Sequence, residues 1–272
     1  MKKVLKWVGI VLVVIFGIGI LVGKDESKPV EDTSVSSATS SSSDNAVKFT
    51  ENESKAIKDM IHDEVETAFN GGDTQLDTEY LVVSAGEMQK VYSANEAKGD
   101  KTYKGKKIII SGVVDSIDSS FGDIPVVTLK TGDMFNKVHV NFARKYRDLA
   151  AELNKNQKVQ YACTGGSVII GSPSVRDCTP ISVAVDELVD SLASSVNKAL
   201  KNPSKANEYD KKIILFVKLV SVVTDDFKTC SVTDRKCFSS NLSKYGKNNL
   251  KNNEELKAII EKLGVTPPIQ LQ

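Results

Sequence analysis

Nine residues of this chain have the types and spacing from which a polyanion site is made: Tyr103, Lys104, Lys106, Lys107, Phe121, Lys137, Arg144, Lys145 and Arg147. Cations neutralise phosphates, and an exposed aromatic ring offers each base a face to stack on. From Lys101 to Pro180 the chain carries 12 lysines and arginines against 7 acids, whereas Glu31 to Tyr80 carries 3 against 12. A formal net charge of +1 hides this asymmetry, so any electrostatic partner has to be read locally. The same residues admit a plainer role. Lysines at a sheet edge block unwanted pairing, Tyr103 can cap a barrel, and Phe121 can plug its end.

The sulfurs offer a second chemistry. Cys163, Cys178, Cys230 and Cys237 are the four cysteines, and their order suggests two local disulfides. Bridging Cys163 to Cys178 closes a loop of about 15 residues and contributes roughly 3 kcal/mol on the chain-entropy model. A four-cysteine zinc site is the rival, but neither spacing contains the C-x-x-C element such sites use.

Catalytic constellations fare worse. With His62 and His139 as the two histidines, a serine or thiol nucleophile has few bases to draw on. His62 falls one residue past an apolar helical stripe. In "KVHVNF", His139 alternates with Val138 and Val140 and should point outward. Three fragments look like parts of a penicillin-recognising serine enzyme: "SDN" at 43–45, "KTG" at 130–132 and "SVNK" at 195–198. In such enzymes the nucleophile motif comes first and the KTG strand last. Here the order is reversed, and Ser43 falls in a serine-rich stretch. No glycine-rich phosphate loop, dinucleotide fingerprint or calcium loop is present in the sequence. The expectation is a chain that is not an enzyme and carries no metal or other cofactor.

What must position the candidates begins with the N-terminus. Lys2, Lys3 and Lys6 precede an uncharged apolar run from Trp7 to Gly23, bounded by Lys24. Counted from Val4 this is about 20 residues, enough to cross a hydrocarbon core of roughly 30 Å at 1.5 Å per residue. The basic side stays in the cytoplasm. "IGILVG" sets bulky residues where a signal peptidase requires small ones, no cysteine follows for lipid attachment, and the run lacks the polar face of a soluble helix. Residues 1–24 therefore read as an uncleaved signal-anchor, and 25–50, rich in serine and poor in bulky apolar residues, as a disordered tether. These place the chain in the inner membrane, single-pass, with its C-terminal part in the periplasm.

Beyond the tether, "TENESKAIKDMIHDEVETAFN" puts Ile57, Met60, Ile61, Val65, Ala68 and Phe69 on one helical stripe, stopped by Gly71 and Gly72. Ser84 with Glu87 is a capping box opening a second helix that frays near Gly99. Five β-rich runs follow: 106–118, 124–130, 136–142, 157–165 and 167–178. Between the third and fourth, "FARKYRDLAAELN" aligns Phe142, Tyr146, Leu149, Ala150 and Leu153 as a helix. Five strands with one helix inserted after the third is the element order of an OB-fold.

Residues 92–179 resemble the tRNA anticodon-binding-like family of bacterial extracytoplasmic OB-fold proteins. "YSANEAKGDKTYKGKKIIISGVV" is similar to its helix-to-first-strand signature, and "HVNFARKYRDLAAELNKNQKVQYACTG" to its third strand, helix and fourth strand. Cys178 matches the cysteine on its last strand. The resemblance implies the barrel and leaves function open, because one fold hosts many functions.

After Pro180, Leu188, Val189, Leu192, Val196, Ala199 and Leu200 form a helical stripe, "YDKKIILFVKLVSVV" reads as a buried helix, and "NNEELKAIIEKLG" as a last helix ended by Gly264, Pro267 and Pro268. The fold expected is α+β: a five-stranded OB-fold β-barrel at 101–180, a helical segment at 51–100 before it, a helical region at 181–272 after it, and an N-terminal transmembrane helix. The function expected is a non-catalytic module binding an envelope protein or other periplasmic ligand. Single-stranded nucleic-acid binding is the first alternative, and a mobile-element immunity or phage-exclusion factor acting at the envelope is the second.

Overall fold

Strand β2, Lys107–Ser120, organises the sheet of the computed structural model, which describes residues 46–120 and 123–265. Outside these residues fall the expected anchor, most of the tether, Phe121, Pro267 and Pro268. Among the described residues, no helix is long and apolar enough to cross a membrane. The chain divides into two units: Glu64–Val189, and Met1–Asp63 together with Asp190–Gln272.

The first unit holds the six strands found among the described residues. In "KIIISGVV" every β-branched position is used: Ile108 and Ile110 face the core, Ile109 faces the opposite side, and all three are fully buried. β1 (Tyr80–Ser84) pairs parallel with β2. β5 (Lys158–Ile169) pairs antiparallel with the first half of β2, from Lys107 opposite Thr164 to Val113 opposite Lys158. β3 (Ile124–Leu129) takes the second half, after a register shift between Val114 and Ser116. A shift of this kind bends a strand, and it lets one long strand serve two partners. β4 (Val138–Phe142) continues antiparallel from β3 and lies parallel to β6 (Ser172–Pro180), which pairs antiparallel with β5. The pairing order β2-β3-β4-β6-β5 thus returns to β2. Cys163 on β5 and Cys178 on β6 form one disulfide.

Helix α1 (Glu51–Phe69) enters this unit at its C-terminal end. α2 (Ala85–Ala94) starts at Ser84, whose hydroxyl accepts from Glu87 N–H while the Glu87 carboxylate accepts from Ser84 N–H, the reciprocal cap the spacing demands. Met88 and Tyr92 on α2 join Ile108, Ile110, Val127 and Leu129 in one apolar core.

Several expectations need correction. The sheet has six strands, not five. "YLVVS", read within a helical segment, is β1, because Leu81 and Val82 extend the sheet beside Ile108 and Ile109. The second helix does not fray at Gly99. It ends at Ala94, and Asn95 both closes it and caps α3 (Glu96–Tyr103), accepting from Lys98 N–H. Gly99 is a packing glycine there: a Cβ would run into the Tyr92 ring. The fourth strand runs on to Ile169, so "SVI" belongs to β5 and the fifth expected run begins only at Ser172. Phe142 sits on β4, and the insert between β4 and β5 is a 3₁₀ segment, Arg144–Glu152.

The second unit is helical: α4 (Ile181–Lys201) supplies its C-terminal part, followed by α5 (Glu208–Val223), α6 (Arg235–Tyr245), α7 (Lys247–Lys251) and α8 (Glu254–Lys262). α5 is buried on every side from Ile213 to Ser221, Lys218 being the one charged residue of that stretch, as a central helix must be. Gly264 follows α8 in the left-handed conformation expected of a helix stop. Cys230 and Cys237 form the second disulfide, so the zinc alternative is set aside.

Candidate binding surface

The basic and aromatic residues singled out in the sequence, Phe121 aside, fall at three places of the β-unit. Tyr103 ends α3 with its side chain in the core, its ring centroid 5.9 Å from that of Tyr92. Burial raises the Tyr103 hydroxyl pKa, and burial with the Asp100 carboxylate pushes Tyr92 up to about 12. A ring held this way supports the fold and offers no face to a base. Lys104 follows at the C-cap and pairs with Asp100 at 3.2 Å. Lys106 is exposed in the turn, where its carbonyl accepts from Gly165 N–H. Gly165 is required at that crossing, because a Cβ would meet the Tyr103 carbonyl oxygen.

Lys107 opens β2 and contacts Glu79 at 2.8 Å, with its ammonium 5.6 Å from the centre of the Tyr80 ring. The hydrogen bond to Glu79 holds the lysine pKa above its ordinary value and that of the carboxyl below. Lys137, before β4, donates to the Asp133 carbonyl and lies 3.9 Å from Asp115. In the 3₁₀ segment Arg144 is exposed, Lys145 lies 4.7 Å above the Tyr146 ring, and Arg147 is half-buried with its Nε unpartnered among the described residues. Glu187 acts electrostatically on both Lys107 and Lys145. Three of these lysines therefore face acids of the protein, and the two rings nearest the surface cations, Tyr80 and Tyr146, are already covered by them. A stacking platform would first have to displace its own lysines.

His139 alternates with buried Val138 and Val140 as its strand position requires. It is half-buried, and desolvation lowers its pKa below 6.5 against the opposing charge of Asp118. His62 lies exposed on α1. Ser195 of the "SVNK" fragment donates at 2.8 Å to buried Asp210, whose own pKa is raised by burial.

A different surface emerges at one end of the sheet. The β3–β4 loop carries Met134, 81 % exposed, and Phe135, 85 % exposed; at the β5–β6 connection Ile169, the last residue of β5, is 59 % exposed and Ile170, in the turn itself, 96 % exposed. The two are neighbours: Lys137 N–H donates to Ser172 Oγ, and Asn136 Oδ1 would lie 3.1 Å from a Cβ on Gly171. Both are held in shape. Asp133 Oδ1 accepts from Phe135 N–H at 2.8 Å and Asn136 N–H at 2.9 Å, and the buried Gln89 amide donates to the Gly171 carbonyl at 3.1 Å. The Asn136 and Phe135 backbone N–H groups, both donating to this carboxylate, hold the Asp133 pKa below its ordinary value. Sequence reasoning passed over these four residues. The signal was there in "GDMFN" and "VIIGS", where bulky apolar residues stand inside turn segments that have no core to face.

The model of the tRNA_anti-like family matches residues 1–179. A search of curated proteins finds no match. Among solved structures, a lipoprotein from Klebsiella pneumoniae subsp. pneumoniae, whose name gives it a provisional nucleic acid-binding role, is 16 % identical, with 36 % of this chain and 90 % of that one covered and a TM-score of 0.31. A likeness of that size carries no argument about what this chain binds.

Proposed function

The chain belongs to the tRNA_anti-like family, and we propose that it is a non-catalytic binding module of the cell envelope, anchored in the inner membrane by residues 1–24 with its β-unit and helical unit in the periplasm. The β-strand pairing that returns to β2 is read as a five-stranded OB-fold barrel with β1 added at its side. The observation that carries the reading is the character of the β-unit surface: three of its seven candidate cations face acids of the protein and a fourth, Lys145, lies on the Tyr146 ring, while its four most exposed bulky apolar side chains gather at two adjacent connections. A surface of that kind suits an apolar partner better than a polyanion. Two disulfides, one in each unit, support an oxidising compartment. The non-catalytic part is supported by Ser195, whose hydroxyl is committed to an acid instead of a base-like lysine.

Nucleic-acid binding is the second reading, favoured by Lys106 and Arg144, which are exposed and have no acid partner among the described residues. One experiment separates the two. In intact cells, a reporter active only in the periplasm is fused after Gln272, and the four cysteines are probed with a thiol reagent before and after reduction. The expected result is an active reporter and thiols that react only after reduction. An inactive reporter with freely reactive thiols overturns the envelope reading and returns the lysines to nucleic acid.

A further inference from the structure

We propose that the two apolar turns at the end of the sheet, Met134–Phe135 and Ile169–Ile170, insert into the interfacial region of the lipid bilayer, giving the β-unit a second, peripheral hold on the membrane. The inference rests on the anchored reading above and names the partner of its apolar surface.

Ile170 is the strongest reason to assign the turns a function. With Gly171 it forms the two-residue connection between β5 and β6, at φ of 48° and 76° respectively. Such a turn favours Asn-Gly, since both central residues are left-handed. The other non-glycine left-handed residues of this unit are Asp123, Asn156 and Asp177, types that tolerate the conformation, whereas a β-branched side chain there is a true outlier. The fold gains nothing from isoleucine at a site 96 % exposed. Strain kept at an exposed position points to a task outside folding.

The partner follows from shape and reach. Four apolar side chains on two convex tips need no complementary pocket if the partner is a soft interface, which accepts bulky aromatic and aliphatic groups a few ångströms deep. The hydrogen bonds to Asp133 and from Gln89 hold the tips in place, so little ordering is left to be lost on contact. The serine-rich composition of Asp25 to Asn45 is that of a linker, which as a coil would span about 25 Å, and the chain is docked from Ala46 on, where Lys262 Nζ donates to the Ala46 carbonyl and Val47 N–H to that of Leu200. The bilayer is then at high effective concentration, and a contact too weak to recruit a free protein is occupied.

The test uses the full chain in vesicles of phosphatidylethanolamine and phosphatidylglycerol, prepared with plain or brominated acyl chains. Trp7 is the one native tryptophan. The double variant Trp7→Phe/Phe135→Trp therefore reports on the turn alone, and Trp7→Phe/Lys158→Trp reports on the other end of β5. Expected is a blue-shifted tryptophan at position 135 that loses emission in brominated vesicles, with no loss at position 158. Adding Ile170→Asp to the reporter at 135 should reduce that loss while resistance to proteolysis does not fall. Equal emission at 135 in plain and brominated vesicles overturns the inference. Alkaline extraction reads the anchor independently: a chain that washes off yet is quenched at 135 removes the anchor and keeps this contact. A retained chain that is unquenched at 135 does the reverse.

Discussion

The β-unit and the helical unit treat charge and apolar surface in opposite ways. All six exposed large apolar side chains among the described residues belong to the β-unit, while its ion pairs Lys104–Asp100 and Lys107–Glu79 lie at the surface. Among the described residues the helical unit exposes none of that class and buries an ionic group instead. Lys218, in the middle of apolar α5, reaches Glu53 and Glu255, each at 2.9 Å, and Glu53 is fully buried. Buried charges demand partners in fixed geometry, whereas surface pairs contribute little. The helical unit is thus built to hold one arrangement, and the β-unit to present a surface.

The largest break in this comparison is Lys218→Met. It nearly preserves side-chain volume but strands the Glu53 carboxylate, which should cost about 3–5 kcal/mol and appear as a lower denaturant midpoint with loss of helical signal. The double variant Glu53→Gln/Lys218→Met should recover much of that, since no lone buried charge remains and Glu255 is exposed to water. The pH dependence has a definite sign. Burial alone lowers the Lys218 pKa, but the hydrogen bonds to Glu53 and Glu255 outweigh it, and the net shift is upward from 10.5. Its contribution is therefore fully present below the unfolded value and fades as pH rises through the folded one. Lys218→Met should lose that alkaline fade. A variant as stable as the parent would show that the ionic group is not what fixes the helical unit.

A smaller effect sharpens the same contrast. Cys163–Cys178 closes a separation of 15 residues in the β-unit and Cys230–Cys237 one of 7 in the helical unit. On the chain-entropy model, removing them by paired alanines costs about 3 and about 2.4 kcal/mol respectively. Thermal melts of Cys163→Ala/Cys178→Ala and Cys230→Ala/Cys237→Ala give the comparison directly. The first pair should lose more, because Cys178 is fully buried and its loss also opens a void.

Where the sequence was legible, one local rule decided the outcome. The Ser84–Glu87 cap, the apolar run of α5 and the alternation around His139 each follow from spacing within a single element. β1 escaped because "YLVVS" is short and directly abuts a helix cap, and its parallel partner lies 27 residues on, where Tyr80 meets Lys107. Asn95 misled because one residue closes one helix and opens the next. The basic candidates were visible as a charge balance, but pairing is a property of space: Glu79 and Asp100 meet Lys107 and Lys104 only after folding. The turn residues were hidden for the opposite reason. An apolar residue in a sequence reads as core until the register shows that Ile169 opposes Ser172 and leaves Ile170 beyond the last pair.

The smallest expected effect is also the one that most directly separates stability from function. Ile170→Asn places at φ 48° a residue whose side chain tolerates the left-handed region. Relief of that backbone strain should stabilise the β-unit by about 1 kcal/mol, raising its melting midpoint by roughly 4 °C. At 96 % exposure the isoleucine has almost no packing to lose in exchange. The same substitution removes an apolar side chain from the tip, so the loss of emission by a tryptophan at position 135 in brominated vesicles should shrink. A more stable protein with a weaker bilayer contact is the trade-off expected of a strained functional turn. If Ile170→Asn instead destabilises the unit, the isoleucine serves the fold and the contrast between the two units narrows.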